Sequence, residues 1–444
     1  MHRAVLKLAE AVKSAGGRAM LVGGCVRDRL RGVESKDLDV EVYGVDPARL
    51  RKILEQLGQV NTVGEHFSVY KLVVKDDSLD SDRVEIDVSI PRRESKSGRG
   101  HRGFLIEGDP SMTFEEAARR RDFTINAILY DPLNKEMVDP FGGRDDFASH
   151  RLKAVAADTF VEDSLRVLRA VQLAARFEMI VDPETAELCR TIDLSDLPRE
   201  RIWGEFEKLL MLARRPSIGI RVALELDVLD KLFPELRALV GRQSQHAPED
   251  AFEHTAVSLD EAVKLCEDLS KAKRLTVMLA VLCHDLTGLP AEVEPARATL
   301  SRLGVHTVEG YDVRLQVLAL VREQRAPAEF YERRHRTSDG DFRRLSQRAE
   351  LDLLYRLAKA CSIGRIEDTG SAAPDWFIER ARELGVEHGP PAPILLGRHL
   401  IEAGIQSGPE MGRLLKLVYE LQLEGEVTSL DEAVSAALRF ARSN

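Results

Sequence analysis

The stretch LVGGCVRDRLRGVESKDLDVEVYG, residues 21–44, decides how the chain is read. It opens on a short apolar strand that ends in two glycines. A helical segment follows, and then a strand-like run that carries Asp37, Asp39 and Glu41 at alternate positions. Glycines let backbone N–H groups come close to an anion, and a helix N-terminus attracts one. Gly24 at that turn and Arg27 just inside the helix are therefore candidates for holding phosphate, since a guanidinium can fork onto its oxygens. Asp37 and Asp39 stand two apart in a strand, so their side chains share one face. Such a pair is a hard oxygen site suited to Mg²⁺. Glu41 extends the same face as a bystander. No Walker-type lysine loop and no GxGxxG run is present, which weakens ATPase and dinucleotide readings.

A second strand, RVEIDVSI at residues 83–90, alternates apolar residues with Glu85, Asp87 and Ser89. One face is apolar and the other carries two acids. A third carboxylate beside Asp37 and Asp39 completes a two-metal site for phosphoryl transfer, and Asp87 and Glu85 are both candidates for it. A solvated sheet face is the competing reading.

Working outward, the chain has 444 residues, too many for one core. Strand and helix signals mix over the first 150 residues, and PRRESKSGRGHRGF at 91–104 is polar, Gly-rich and read as a loop. From about residue 150 onward the apolar spacing is almost wholly helical. The expected class is α+β: a small head with a mixed β-sheet and helices, then a long all-α remainder. The expected boundaries are a head at 1–150, a helical neck at 151–215, a helical body at 216–385 and a helical tail at 386–444. A Gly- and Pro-rich stretch near 364–393 supports the last of these. Net charge is −10, which argues mildly against a bulk nucleic-acid binder, but basic residues cluster at 92–102, 119–121 and 333–344. The five scattered cysteines suggest a reducing compartment and no structural zinc. The start is not a signal peptide and no apolar run is long enough to span a bilayer, so no membrane partner and a cytoplasmic location are expected. No obligate protein partner is evident.

Five motifs occur in order: LVGGCVRD…KDLDVEVYG, RRRDFTINAILYDP, DPFGGRDDF, EDSLRVLRAVQLAARF and ERIWGEFEKLL. Together they resemble the class II CCA tRNA nucleotidyltransferases and the related bacterial poly(A) polymerases. The tail from Pro393 to Val434 resembles the C-terminal segment of the bacterial CCA-adding enzymes. The resemblance implies template-independent addition of C, C and A from CTP and ATP to the 3′ end of tRNA, with Mg²⁺. It implies that Gly24 and Arg27 hold the triphosphate and that Asp37 and Asp39 bind Mg²⁺. Arg121 contacts the nucleotide, and Asp122 and Asn126 shape the sugar site. Glu162, Asp163, Arg166 and Arg169 fall on the EDxxRxxR template for the incoming base. Gln172 stands where relatives often carry a further Arg. The helices beyond the neck, including the start GPEMGRLL, are expected to bind tRNA through phosphates and shape.

The residues themselves agree with that template. Asp163 and Arg166 are three apart and read as neighbours on one helix face. An ionised Asp only accepts hydrogen bonds and Arg only donates them. Cytosine and adenine both offer an amino donor beside a ring-nitrogen acceptor, whereas uracil and guanine offer a carbonyl in place of the amino group. A single rigid pair cannot meet a pyrimidine and a purine at one position, so the Gly-rich stretch Arg92–Gly103 is the expected lever between C and A addition. In the family it resembles, enzymes that add only CC have a shortened loop between the metal strands and RRDFTINA; RRESKSGRGHRGFLIEGDPSMTF fills that region here, which favours full CCA or A addition. A-adding or poly(A)-type transfer is the alternative.

FEHTAVSLDEA and LAVLCHDLTG resemble an HD phosphohydrolase domain, with His254, His284 and Asp285 as possible metal ligands. The usual HDLGK is altered, and LPAEVEPARATLSRLGV replaces the expected His-rich segment. A metal site needs its full ligand set, so a degenerate remnant is expected rather than a working phosphohydrolase.

Overall fold

The structure is a computed structural model that describes residues 2–33, 35, 37–62, 69–75, 83–96, 104–244, 250–286, 293–363 and 372–442. The N-terminal region runs α1 (Arg3–Ser14), β1 (Arg18–Val22), α2 (Gly24–Leu30), β2 (Asp39–Tyr43), α3 (Pro47–Leu57), β3 (Gln59–Thr62), β4 (Val69–Lys75) and β5 (Arg83–Ser89). It continues through β6 (Arg92–Lys96), β7 (Phe104–Gly108), α4 (Phe114–Arg119), β8 (Leu129–Asp131), β9 (Glu136–Val138) and α5 (Gly143–Ala148). The helices α6 (Ala157–Phe160), α7 (Leu165–Phe177), α8 (Pro183–Thr191) and α9 (Arg199–Leu212) come next.

Seven strands form one mixed sheet in the order β3-β4-β5-β2-β1-β8-β9. The β2–β5 pair is parallel and the other neighbours are antiparallel. Strict alternation decides which face each residue takes. Leu21, Val40, Val42, Leu72, Ile86 and Val88 pack on one face with Leu8 and Val12 of α1 and Leu50 and Leu54 of α3. Met20, Val22 and Tyr43 face the other way and meet Ala117 and Ala118 of α4 and Leu129. The acidic positions of β2 and β5 share the phase of Tyr43, so they stand on that second face.

Two expectations change here. PRRESKSGRGHRGF is not one loop, because Arg92–Lys96 and Phe104–Gly108 pair as an antiparallel ribbon from Arg92↔Gly108 to Lys96↔Phe104. Residues 97–103, with Gly98, Gly100 and Gly103, lie outside the described residues. A two-stranded ribbon can be solvated on both faces, so it needs no apolar alternation to betray it. Asp37 does not lie in a strand, since β2 begins at Asp39.

The chain divides into two compact units, Met1–Glu205 with Val222–Lys231, and Phe206–Arg221 with Leu232–Asn444. The second unit is helical apart from one pair of two-residue strands among the described residues. Its helices Ala251–Leu265, Lys271–Cys283 and Leu351–Ile363 pack on one another. Near its end Leu395, Leu400, Met411, Leu414, Val418 and Ala433 make a separate small core. No helix among the described residues is long and apolar enough to cross a membrane. All five cysteines are free and buried.

The DPFGGRDDF motif acts as a brace. Asp139 accepts from the Gly143 and Arg144 N–H groups at 2.8 and 2.9 Å, which starts α5. Asp146 of α5 accepts from the Thr124 hydroxyl at 2.8 Å and from Arg151 at 2.8 Å. Thr124 opens the short 3₁₀ turn Thr124–Asn126, and a Cβ on Gly143 would stand 2.1 Å from its carbonyl oxygen. Gly143→Ala should therefore push that turn away. We expect a loss of about 1–3 kcal/mol of stability, read as a lower thermal midpoint. An unchanged midpoint would show that the turn yields freely.

Candidate active site

The parallel pairing of β2 with β5 sets Asp39 opposite Asp87 and Glu41 opposite Ser89. Adjacent strands stand about 4.8 Å apart, so two carboxylates are held side by side. Burial pushes the Asp39 carboxyl up, and Asp87 and Asp37 push it further, while Arg121 partly offsets them. Such a pair is stable in its ionised form when a cation sits between its members. Glu85, one repeat along β5, pairs instead with Lys71 at 2.7 Å. Between the two candidates for the third carboxylate, Asp87 is the one beside Asp39. Asp37 stands exposed ahead of the strand, and among the described residues Asp37, Asp39 and Asp87 do not form a closed triad.

A cavity of about 650 Å³ opens over this face, and Asp39, Glu41 and Asp87 line it. Arg92, Arg120, Arg121, Arg166 and Arg201 also line it, with Glu162 and Asp163. An acidic floor and a basic wall suit a divalent cation and a polyanion bound together.

Gly23 holds φ at +69°, a backbone region that favours glycine, and caps α2. A Cβ there would lie 3.5 Å from an Asp39 oxygen and 3.7 Å from an Arg121 nitrogen, so the glycine turn, the acid and the guanidinium converge. Arg27 is buried, donates from Nη1 to Asn126 Oδ1, and lies over the Phe177 ring at 4.3 Å. Its Nε has no hydrogen-bond partner, and it is not among the cavity-lining residues. Burial, then Arg176, pulls its pKa down to about 10, so it stays cationic at neutral pH. In this geometry Arg27 is fastened to Asn126 instead of reaching openly for phosphate.

Asp122 is the hub behind the cavity. It accepts from Arg169 Nε at 2.6 Å, from Asn126 Nδ2 at 2.9 Å and from the Phe123 N–H at 2.8 Å. Burial alone would raise its carboxyl, but Arg169 and these hydrogen bonds outweigh it and hold it below the usual carboxylate range. Arg169 is raised by Asp122 and has Glu205 at 4.0 Å. Gln172 is buried on the same helix and supplies no cation there.

The expected Asp163–Arg166 pair on a helix is corrected. Helix α7 begins at Leu165, and Asp163 precedes it, accepting from the Leu165 N–H at 3.1 Å. Its other oxygen pairs with Arg201 of α9 at 3.2 Å. An Asp ahead of a helix finds N–H donors there, which a mid-helix Asp would not. Arg166 donates to the Thr159 carbonyl at 2.8 Å and the Arg120 carbonyl at 2.7 Å. Glu162, Asp163 and Arg166 all reach the cavity, while Arg169 does not line it.

Two supports escaped the sequence reading. Glu41, read as a bystander, accepts from the Tyr43 hydroxyl at 2.6 Å and pairs with Arg121 at 3.5 Å. Burial and Glu41 push the Tyr43 phenol up, so it remains a donor. Arg201 belongs to a motif that was recognised without a role; its partner is 38 residues away, beyond any local spacing rule.

Comparison with known proteins adds three findings. Residues 19–153 match the poly A polymerase head domain, and residues 178–239 match the probable RNA- and SrmB-binding site of polymerase A. A multifunctional CCA protein of Xanthomonas campestris pv. campestris (strain B100) is 33% identical over 422 residues, covering 89% of this chain and 95% of that protein. One from Stenotrophomonas maltophilia (strain R551-3) is 37% identical over 311 residues, covering 67% and 71%. In fold, the chain is similar to the Bacillus stearothermophilus CCA-adding enzyme in complex with CTP, with TM-score 0.68 and 20% identity over 100% and 99% of the two chains. It is also similar to the Thermotoga maritima CCA-adding enzyme complexed with tRNA, with TM-score 0.62 and 19% identity over 98% and 94%.

The raised Asp39 carboxyl has a testable consequence. Its ionisation is harder in the folded protein, so metal-free stability is present at low pH. It is lost as pH rises from its unfolded value of about 3.9 through the higher folded one. Metal-free Asp39→Asn should melt above wild type at pH 7, with the gap closing towards pH 3, and should bind Mn²⁺ at least about 10-fold more weakly by calorimetry. A variant that melts lower at pH 7 would refute the strained-carboxylate account.

Proposed function

The chain belongs to the family of multifunctional CCA proteins, and from that premise we propose that it adds C, C and A from CTP and ATP to the 3′ end of tRNA on two Mg²⁺ ions. The observation that carries this reading is Asp39 in register with Asp87 on the floor of a cavity walled by arginines. Bound Mg²⁺ would favour ionisation of the attacking 3′ hydroxyl and neutralise the leaving pyrophosphate. Asp39 and Asp87 would hold the ions, with Asp37 as the remaining carboxylate of the ligand set. Gly24 at the glycine turn and Arg121 take the triphosphate. Arg27, Asn126 and Asp122 fix the sugar pocket from behind, with Arg27 acting through Asn126. Residues 1–150 serve as the head and 151–215 as the neck. Residues 216–385 form the body and 386–444 the tail, and these helices carry the tRNA.

Selection of the base falls to Asp163 and Arg166. A carboxylate has about four lone-pair sites, so Asp163 can accept from an amino group while it is held by Arg201 and the Leu165 N–H. Arg166, a donor only, suits the ring nitrogen of C or A. Uracil and guanine would leave polar groups unpaired in the pocket, which discriminates strongly.

The change from C to A requires this pair to move. The Arg92 carbonyl accepts from Arg120, and the Arg120 carbonyl accepts from Arg166. Displacement of the β6–β7 ribbon is thereby passed to Arg166 through Arg120.

The test of the whole reading is product length from four single-NTP reactions and from CTP with ATP, on tRNA lacking its 3′ end. CTP should give two additions and the mixture three. Long ATP-only tails would establish a poly(A)-type transferase, and a lone A from ATP on tRNA lacking all three nucleotides would defeat CCA order. In the same assay Asp163→Ala should admit UTP or GTP and slow CTP and ATP by about 10²-fold. Wild-type selectivity in that variant would remove Asp163 from the template. Deletion of residues 95–102 should spare CC addition and cut the final A by about 10²-fold or more. Equal weakening of all three steps would mean that the ribbon only grips RNA.

A further inference from the structure

Outside the cavity, three buried side chains converge in the second unit. His254 comes from the helix Ala251–Leu265, His284 caps the helix Lys271–Cys283, and Cys361 lies on the helix Leu351–Ile363. Their relative exposures are 0%, 1% and 7%. One ligand atom from each lies within 4.8 Å of the others, and among the described residues no other group of His, Cys, Asp and Glu converges in this way. The imidazole rings are 5.3 Å apart between centroids.

The surroundings orient these atoms. His284 Nδ1 lies 2.6 Å from the Val281 carbonyl and must carry its hydrogen there, which leaves Nε2 as the nitrogen with the lone pair. A ligating histidine is usually held by this kind of backbone contact on its other nitrogen. Asp285 does not converge with the three. Its Oδ2 accepts from the Ser244 hydroxyl at 2.8 Å and stays 3.6 Å from His284 Nε2, and its carbonyl accepts from Arg242. Asp285 thus stays beside His284 but outside the converging three, where a cysteine stands with the histidines.

Two imidazoles and a thiolate form a borderline-soft donor set that suits Zn²⁺ and not Mg²⁺, which demands oxygen. Zn–N bonds of about 2.0–2.1 Å and a Zn–S bond of about 2.3 Å bridge ligands at such separations. Closed surroundings mark a structural site, whereas catalytic zinc keeps an open position. We infer that His254, His284 and Cys361 bind one Zn²⁺ that ties three helices of the second unit together, with Asp285 or a water as the fourth ligand. Binding releases the Cys361 thiol proton to solvent. Such a site runs against the expectation, drawn from scattered cysteines, that structural zinc is absent.

The test uses the full-length protein, supplied with zinc during expression, dialysed against a weak chelator and analysed for metal. About one Zn²⁺ per chain is expected. Co²⁺ in its place should give a sulfur-to-cobalt charge-transfer band in the near ultraviolet, which carboxylates cannot produce. Cys361→Ser should remove that band, with CTP incorporation as the check that the variant is folded. Stripping the wild-type protein with a strong chelator should lower its thermal midpoint by about 5 °C or more. The inference is overturned if zinc-supplied wild type holds under about 0.1 ion per chain, if the band persists in folded Cys361→Ser, or if stripping leaves the midpoint unchanged. The first and last measurements need no variant, so misfolding of Cys361→Ser does not shelter the idea.

Discussion

Two carboxylates in register on neighbouring parallel strands repel each other, and the head is arranged around that fact. The β2–β5 junction is the one parallel pairing in an otherwise antiparallel sheet. It brings Asp39 beside Asp87, while Val40 beside Val88 keeps the opposite face in the core. The apolar core and the acidic floor come from the same alternation, so the register cannot slip by one residue without burying acids and exposing the core. Under the proposed function that repulsion is what a bound cation would relieve.

Behind the floor, charge is managed by pairing. Arg27, Asn126, Asp122, Arg169 and Glu205 follow one another in a chain from α2 to α9. Buried charges of this kind add little net stability, but removing one leaves its partner uncompensated at high cost. The chain therefore behaves as a fixed frame. Asp122 is its centre, and the DPFGGRDDF brace presses on the turn that carries its neighbour Asn126. A motif without any reacting group thus serves the cavity by geometry alone.

The turn ahead of α7 has a different design. Asp163 and Arg166 are held mainly by backbone groups and one partly exposed arginine, not by a packed ionic core. Such contacts are weaker and more readily exchanged than buried pairs. Under the proposed reaction that pocket accepts a pyrimidine and then a purine and needs such latitude, whereas the carboxylate floor needs none.

Much of this was legible along the chain. Alternation in LDVEVYGV and RVEIDVSI predicted two half-buried strands with acids on one face, and helical spacing predicted the remainder, because both are local periodicities written into neighbouring residues. Five ordered motifs were enough to identify the family. The pairing of 92–96 with 104–108 escaped because a two-stranded ribbon need not carry an apolar period. Only the tertiary structure chose Asp87 over Glu85 as the neighbour of Asp39, since both share a face and the choice depends on the register of another strand. It also joined Arg201 to Asp163, fastened Arg27 to Asn126, and gathered Cys361 with His254 and His284 from three helices. Those pairings are set by how elements pack across space, and no spacing rule within one element contains that information.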